Sequence, residues 1–290
     1  MDSSPESNSS TDSIQTSLAT LAFRVRDGNN LNSIQTVRVE LHDMKSTSLP
    51  EAYDESGHTW ITHGIRVIKM RHHASQGFDH GGKVLDHVES IARCLRSSMD
   101  LQMTPVCLDA EIIYGITNPT SAHMDVSHVG PITVSVGQDI PSSMVKMALT
   151  KSTAEILLRR LFGNEMFTCL AAGHAGWEIL EVSHPLTTAM RNYPHMVCDP
   201  RTLVPSRDFH DETSVSGGPG ATRHVMHHES QSWMQLFAQQ PFEMLVRRVA
   251  SSDERNDVIV PLVSGNITGD PFAQPEDRMT VRFVAWKPRT

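Results

Sequence analysis

Short segments of this chain alternate apolar and polar side chains, which is the period of a β-strand with one buried face. In one of them Val37, Val39 and Leu41 alternate with Arg38 and Glu40. The same kind of pattern predicts further strands at Leu21–Arg26, Ile65–Met70, Val106–Tyr114, Ile132–Val136, Val258–Val263 and Met279–Trp286. A chain patterned in this way builds its core from β-sheets.

Helical periodicity appears in three places. Gly82–Met99 places apolar residues on one side and charges on the other, which predicts an amphipathic helix. Ser142–Phe162 has the same period, and Gly163 is placed to cap its C-terminus. Glu229–Val249 also reads as helical, although Pro241 must kink or divide it. We therefore predict an α+β fold with a β-rich, jelly-roll-like core, packed helices and a more helical C-terminal half.

Composition excludes several classes of protein. The chain has 290 residues, 39% of them hydrophobic, which argues against wholesale disorder. Its 25 Lys and Arg against 33 Asp and Glu give a net charge of −8, which argues against a generally basic nucleic-acid binder. No apolar run approaches the ~20 residues of a membrane span, and no signal-peptide pattern opens the sequence. The four cysteines are too scattered for a disulfide framework.

The sequence contains 16 histidines, some of them clustered. The clusters are His72-His73-His80, His123 with His128, and His224 with His227-His228. None has the spacing of H-E-x-x-H or of a Cys/His finger, so we interpret them as surface or loop residues. A metal-dependent enzyme built on these histidines is the weakest of three functional hypotheses.

Nucleophilic catalysis has no recognisable signature in this chain. There is no G-x-S-x-G elbow, and no cysteine lies in a nucleophile motif. Ser206, Asp208 and His210 are neighbours in sequence, but a triad converges through the fold, so we interpret them as a loop. The run Gly217–Gly220 lacks the Lys-Ser/Thr of a phosphate-binding loop and reads as a flexible breaker.

Basic side chains form a local group despite the negative net charge. They fall on a predicted strand and on the helix that follows it: Arg66, Lys69, Arg71, Lys83, Arg93 and Arg96. On a shared face they would neutralise several phosphates, whereas the acidic residues between them favour a plain solvated face. Arg247, Arg248 and Arg255 are interpreted as solvated charges.

The order of elements from Thr36 to Tyr114 resembles a known family. A strand ends in Leu41-His42-Asp43, a polar loop leads to a second strand, Asp79 precedes the amphipathic helix, and another strand follows. This arrangement is similar to the 30K superfamily of plant-virus cell-to-cell movement proteins. Leu41 and Asp43 match its L-x-D motif, Asp79 matches its second aspartate, and Gly115 lies slightly beyond its usual glycine position.

The resemblance implies a protein that carries viral RNA through plasmodesmata. It implies binding of single-stranded nucleic acid or a nucleoprotein by the basic group above, host plasmodesmal partners, no cofactor and no catalysis. The implied location is the host cytoplasm and the cell wall at plasmodesmata. The alternative is a viral structural protein of matrix or capsid type.

Two further expectations concern organisation and local structure. We predict a disordered tail over residues 1–17, a β-rich core over 18–140 and a mixed helix and strand region over 141–290, either separate from the core or continuous with it. Independently of any family, an aspartate at the end of a strand caps its own turn by accepting backbone N–H groups, and we expect this of Asp43.

Overall fold

The computed structural model describes residues 16–27, 30–45, 60, 64–70, 81–114, 133–137, 145, 148–213, 221–253, 258–270 and 272–287. In chain order the strands are β1 (Thr16–Asp27), β2 (Asn30–Asp43), β3 (Ile65–Lys69), β4 (Val106–Ile113), β5 (Thr133–Gly137), β6 (Ala148–Leu149), β7 (Gly176–Pro185), β8 (His195–Cys198), β9 (Phe209–Thr213), β10 (Ala221–Val225), β11 (Trp233–Gln235), β12 (Glu243–Ser251), β13 (Leu262–Ser264) and β14 (Arg278–Lys287). The helices are α1 (Gly81–Ser98), α2 (Lys151–Phe162), α3 (Asn164–Gly173) and the short α4 (Pro205–Asp208).

These strands form three sheets. The largest has six strands in the order β3-β12-β7-β14-β4-β5. A five-stranded sheet has the order β1-β2-β11-β8-β13, and a three-stranded sheet has the order β6-β10-β9. The two larger sheets each combine strands from before and after residue 140, and the predicted division into domains stays a prediction.

The six-stranded sheet has an apolar face that α1 covers. Val84, Val88, Ile91 and Leu95 of α1 are buried, at the helical spacing that the sequence predicts. They join a core with alternate residues of the sheet, for example Val182 of β7. Because the opposite face of the sheet is also covered, every residue of β7 except the first is buried.

The opposite face of this sheet meets two different partners. At one end, Trp177, Ile179 and Trp286 pack against the helices α2 and α3. At the other end, Leu245 packs against Val197 of the five-stranded sheet. Apolar contacts therefore cover this face under α2 and α3 near the start of β7 and at Leu245, which is paired with Ser183 of β7.

The predicted fold class is confirmed. The structure is β-rich and jelly-roll-like with few helices. The predicted strands over 65–70, 106–114 and 279–286 are present almost unchanged, and so is the helix over 82–99. No helix in the described part of the chain has the length and apolar composition needed to cross a bilayer.

Two predicted helices differ from the structure. Glu229–Val249 is wrong as a helix: it contains β11, a turn through Pro241, and most of β12. Here pairing with β7 and β3 prevails over a helical reading of an apolar segment. The predicted helix over 142–162 begins only at Lys151, where the Thr150 hydroxyl accepts the backbone N–H of Thr153.

Gly163 ends α2 as the sequence predicts. Its backbone N–H donates to the carbonyl of Arg159, and its φ of 79° lies in the region that favours glycine. Helix α3 starts at the next residue, so this single glycine makes the sharp corner between two helices that cover one end of the sheet.

Asp43 has the local role expected of it. Its Oδ1 accepts the backbone N–H of Lys45 at 3.1 Å, and it also accepts the N–H of Phe237 at 3.2 Å. The residue is buried at the end of β2, next to Leu41, which is fully enclosed in the core of the five-stranded sheet. One carboxylate thus closes its own turn and joins it to the segment after β11.

Replacing this carboxylate tests the capping role. We expect Asp43→Ala to lower the free energy of unfolding by about 1–2 kcal/mol, because two part-buried backbone N–H groups lose their acceptor. Asp43→Asn keeps a side-chain oxygen and should retain most of the stability. Urea unfolding followed by circular dichroism measures both changes; equal losses for the two variants would contradict the capping role.

Candidate functional site

Charged side chains of alternating sign cross the inner face of the six-stranded sheet, the face that looks toward the five-stranded sheet. Arg247 is paired with Glu181, Glu181 with Arg282, and Arg282 with Asp109 on four adjacent strands. Directly paired residues of antiparallel strands project from the same face. We call these four residues the charge ladder.

The deep end of the charge ladder is a buried ion pair. Arg247 lies 2.7 Å from Glu181 and also donates to the carbonyl of Val260. The arginine is 2% exposed and the glutamate 9% exposed. Removing one partner of such a pair strongly destabilises the folded protein, because the other charge stays buried without compensation.

The shallow end of the charge ladder is open to solvent. Arg282 donates from two nitrogens to both carboxylate oxygens of Asp109, and both side chains are roughly 30% exposed. Although burial works against it, Asp109 raises the pKa of Arg282, and Glu181 and Glu111 act in the same direction. The inner face is thus closed near β12 and accessible near β4.

Arg278 lies on the same face, two rows beyond the charge ladder. The single hydrogen bond of its side chain within the described residues runs from Nη1 to the carbonyl of Tyr193, at 3.4 Å, and no carboxylate there lies within ion-pair distance. Yet the residue is 4% exposed. A guanidinium that is buried without a carboxylate partner would be stabilised by a bound anion, and it is the clearest indication of an anion site on this face.

The charge of Arg278 persists at neutral pH. Burial lowers its pKa to about 10, while Glu111 and Glu276 act against this shift. Glu276 is itself engaged with the backbone N–H groups of residues 191–193. The two carboxylates therefore favour the charged arginine from a distance and leave its hydrogen-bonding fork available.

Hydroxyl groups lie beside Arg278 on the same face. Thr280, the next inward residue of β14, is paired with Ser183, and the two hydroxyl oxygens are 3.4 Å apart. Ser183 is buried and Thr280 is half-buried. Together with Arg278 they form a cationic and hydroxyl-bearing wall that suits a carboxylate.

The facing wall contributes a histidine. His195 of β8 is buried, and its Nδ1 lies 3.1 Å from the hydroxyl of Ser264 on the neighbouring strand β13. His195 is two residues from Val197 in β8, and Ser264 is two residues from Leu262 in β13, so each pair shares one face; Val197 and Leu262 pack against Leu245 of the six-stranded sheet. His195 and Ser264 therefore belong to the inner face of the five-stranded sheet.

The described residues do not by themselves assemble a metal centre. Within them no three His, Cys, Asp or Glu side chains converge closely enough to hold an ion. His195 is the one histidine on the inner wall described above. The two-histidine, one-carboxylate arrangement of non-haem iron sites would need ligands from other parts of the chain.

The family-motif residues fall at different places. Leu41 and Asp43 lie at the end of β2, as a core residue and a turn cap. Asp79 and Gly115 lie outside the described residues. A role for these two residues stays a prediction, whereas Asp43 has a structural reason to be an aspartate.

The basic group is only partly brought together. Lys69 at the end of β3 and Arg93 of α1 line the same surface groove. Arg96 of the same helix donates to Thr104 and is exposed. Arg66 and Lys83 are half-buried on β3 and α1, and Arg71 lies outside the described residues.

Interpreting Arg247 and Arg248 as solvated charges is wrong. Both are buried, and Arg248 is paired with Glu178 at 2.9 Å on the α1 side of the sheet. Its guanidinium also stacks on the ring of Trp60, 4.7 Å from the ring centre. The third arginine of that set, Arg255, lies outside the described residues.

The neighbouring residues 206, 208 and 210 do not form a triad. Asp208 is fully buried at the end of α4, where it binds the side chain of Arg207 and the backbone N–H of Val204. Burial opposes its ionisation, but these hydrogen bonds hold the pKa of Asp208 below its usual value. The aspartate is thus fully used in holding its own segment.

Two of the clustered histidines contradict the surface interpretation in part. His224 is buried, and the half-buried ring of His227 packs 5.0 Å from that of Phe23. The other clusters, at positions 72, 73, 80, 123 and 128, lie outside the described residues. The buried histidines His184 and His195 carry no sequence signal of their own, because each stands alone in an apolar strand.

A usable signal for the inner-face charges does exist in the sequence. Arg278 and Arg282, four residues apart in a segment that alternates as a strand, must share one face. Glu181 likewise interrupts the apolar run of β7. Charged residues inside strands that are otherwise apolar on both sides indicate a polar interior, and this indication was missed.

Comparison with solved structures identifies the fold. The chain resembles three structures of the iron and alpha-ketoglutarate-dependent endoperoxidase NvfI: one described as a different conformation, one of the enzyme itself and one of a single-residue variant. Their TM-scores are 0.65, 0.64 and 0.66, at 16%, 17% and 16% sequence identity. The matches cover 95%, 94% and 95% of this chain and 98%, 97% and 98% of the other chains. No family model and no curated protein matches the sequence.

This likeness corrects the functional predictions. The assignment to the 30K superfamily is wrong, and so are the movement function and the viral structural alternative. The structures that match this chain over nearly its whole length are those of an iron and alpha-ketoglutarate-dependent endoperoxidase. The predicted RNA and plasmodesmal partners depend on that assignment and are also wrong. The prediction that the chain is not an enzyme is contradicted by the enzymes that share its fold. The predicted cellular location is untested and stays a prediction.

The buried end of the charge ladder gives a stability test. We expect Glu181→Ala to lower the free energy of unfolding by about 3 kcal/mol, because Arg247 is left charged and enclosed. The matched control is Glu89→Ala, which removes the exposed ion pair with Arg93 and should change stability by less than ~0.5 kcal/mol. Similar losses for both variants in urea unfolding would contradict the enclosed character of the inner face.

Proposed function

We propose that this chain is an enzyme of the oxygenase class that binds a small 2-oxo acid between its two larger sheets. The observation that carries the proposal is Arg278, a buried guanidinium on the inner face whose hydrogen-bonding fork is mostly unused within the described residues. The fold of NvfI, whose description names alpha-ketoglutarate, supplies the chemical class of the ligand.

A carboxylate is the ligand that Arg278 fits best. Taking a guanidinium out of water costs several kcal/mol, and a bidentate carboxylate offsets this cost with two charge-assisted hydrogen bonds. Phosphate would satisfy the same fork, but Glu111 and Glu276 near Arg278 disfavour a ligand with a higher negative charge. The hydroxyls of Thr280 and Ser183 are placed to bind the same carboxylate group or its neighbouring oxygen.

The route to this position passes beside β4. Arg282, Thr280 and Glu111 are only half-buried, whereas Arg247 and Ser183 are enclosed. A ligand that enters from this side would meet charged and hydroxyl groups first and Arg278 behind them. The apolar contacts under α2 and α3 bound the space at its far end.

Iron is implied by the fold, and its ligands are a separate question. The described residues offer His195, whose ring the Ser264 hydroxyl orients in the manner of metal-binding histidines. The sequence also contains His123 and Asp125, spaced by one residue so that an extended chain would present both on one side. Together these would make a two-histidine, one-carboxylate set, which supports dioxygen chemistry when iron is bound. His123 and Asp125 lie outside the described residues.

The carboxylate role of Arg278 is tested by titration with 2-oxoglutarate. We expect Arg278→Leu to weaken binding about tenfold to a hundredfold, the worth of a charged hydrogen-bonded contact. Arg278→Lys keeps the charge but loses the fork and should lie between. Isothermal titration calorimetry under anaerobic conditions with iron(II) measures the affinity, and Arg96→Leu is the surface control. Unchanged affinity in a folded Arg278→Leu protein would overturn the proposal.

Metal content tests the iron ligands. We expect the purified protein, loaded with iron(II) under anaerobic conditions, to retain about one ion per chain after desalting. The variants His123→Ala, Asp125→Ala and His195→Ala should each retain little. His210→Ala, on β9 of the three-stranded sheet, is the control. Full retention of iron by all three variants would exclude this ligand set while leaving the role of Arg278 untouched.

A further inference from the structure

A histidine and a methionine meet at the surface, beyond the end of α3. The Nε2 atom of His174 lies 3.1 Å from the sulfur atom of Met103. His174 directly follows the last residue of α3, and Met103 belongs to the segment between α1 and β4. Met103 is exposed and His174 is half-buried. Two segments that are far apart in the chain thus bring a nitrogen and a sulfur atom into contact.

The hydrogen bond on the other side of the imidazole determines where its proton lies. Nδ1 of His174 is 2.8 Å from the carbonyl oxygen of Leu170. A carbonyl oxygen accepts and cannot donate, so Nδ1 carries the hydrogen in this contact. In the neutral ring Nε2 then keeps its lone pair. It is this nitrogen that faces the sulfur of Met103.

Two electron-pair donors therefore face each other. A thioether sulfur has no hydrogen, so it cannot donate to Nε2. Neither side chain has a further partner for these atoms among the residues that the structure describes. The two atoms are also too close for a water molecule to lie between them. A positive charge that both atoms can share, either a proton on Nε2 or a metal ion, would satisfy the pair.

The surroundings hold the imidazole in place. Its ring packs against the indole of the buried Trp286, with 5.6 Å between the ring centres. The backbone N–H of Ala175 donates to the carbonyl of Lys287, which ties the end of α3 to the end of β14. A ring that is fixed in this way, with one N–H bound to a backbone carbonyl, is the arrangement usual for a metal-binding histidine.

The two donor atoms select the kind of metal. Thioether sulfur and imidazole nitrogen suit copper(I), whereas magnesium and calcium require oxygen ligands. Copper(I) accepts low coordination numbers, so two protein ligands are sufficient for a surface site. A structural zinc site would need four ligands of the His, Cys or carboxylate type, and no three of these converge in the described part of the chain.

We propose that Nε2 of His174 and the sulfur of Met103 form a binding site for a soft monovalent metal ion, copper(I). The site is separate from the one that contains Arg278. Trp286, beside His174, and Arg278 lie near opposite ends of β14, and eight residues of strand place them about 26 Å apart. The site does not depend on the proposed oxygenase function.

Competition with bicinchoninate under anaerobic conditions measures the affinity for copper(I). The titration is made in a Cys169→Ala background, because this exposed thiol on α3 would also bind the ion. We expect Met103→Leu and His174→Phe each to raise the dissociation constant of one copper(I) ion about tenfold to a hundredfold. Losing only the hydrogen-bond partner of a metal-binding histidine already has an effect of that size. Met166→Leu, which replaces another exposed methionine on α3, is the matched control and should leave the constant unchanged.

Nuclear magnetic resonance of protein labelled with carbon-13 at its methionine methyl groups locates the ion. Copper(I) is diamagnetic, and one equivalent should shift the methyl signal of Met103, which is assigned by its absence in Met103→Leu. Leucine has nearly the volume of methionine, so this variant should fold normally.

Two results would overturn the proposal. One is equal affinity of Met103→Leu, His174→Phe and Met166→Leu for copper(I). The other is a Met103 methyl signal that stays in place when copper(I) is added and moves only when the pH is lowered, which would show that a proton on Nε2 satisfies the pair. A shift of that signal with copper(I), together with weaker binding in the first two variants, supports the site.

Discussion

The ion pair between Glu181 and Arg247 is the constraint around which the six-stranded sheet is organised. Both residues are buried in the middle of adjacent central strands, so neither charge has access to bulk water. Two enclosed charges must be placed in contact and bridged by further polar groups, which the backbone carbonyl of Val260 and the neighbouring Arg282 provide. The inner face is polar around this pair and apolar where α2 and α3 pack on it.

That division explains how one sheet supports both stability and a binding site. The α1 side is mainly an apolar layer, in which loss of a side chain such as Val182 or Ile91 would create a cavity in a closely packed core. The inner side carries Arg247 and Glu181 as an enclosed ion pair. It also carries Arg278, a cation that has no carboxylate partner among the described residues. Only the second kind of charge gains from a ligand, so chemically similar arginines on one face have different roles.

The sequence predicts the architecture well because side-chain period is a local property. Alternation over residues 279–286 and helical spacing over 82–99 each report one buried face, and the structure agrees with both. The failure over 229–249 has the same origin: both faces of β12 are buried, so its sequence lacks alternation. Which side chains meet across the sheet depends on register, and no local pattern determines that Glu181 faces Arg282.

The resemblance to movement proteins failed for a related reason. An ordered set of strands and one helix, with an aspartate after a strand, describes a way of building a sheet and closing a turn. Asp43 performs that turn closure through its bonds to Lys45 and Phe237. A residue with a sufficient structural reason to be present carries little information about activity, whereas Arg278, which was not singled out, lacks such a reason.

The position of β14 has a consequence for how the molecule is made. This strand covers residues 278–287, yet it lies between β7 and β4 in the interior of the sheet. Because β14 follows both β4 and β7 in the sequence, these two strands can be joined only after residues 278–287 have left the ribosome. Until then Asp109 and Glu181 lack the cation that lies between them, and the emerging polypeptide exposes two long unpaired edges. The joining of β4 to β7 therefore follows the synthesis of both strands, and a chain that has not yet placed β14 exposes more strand edge than the completed sheet.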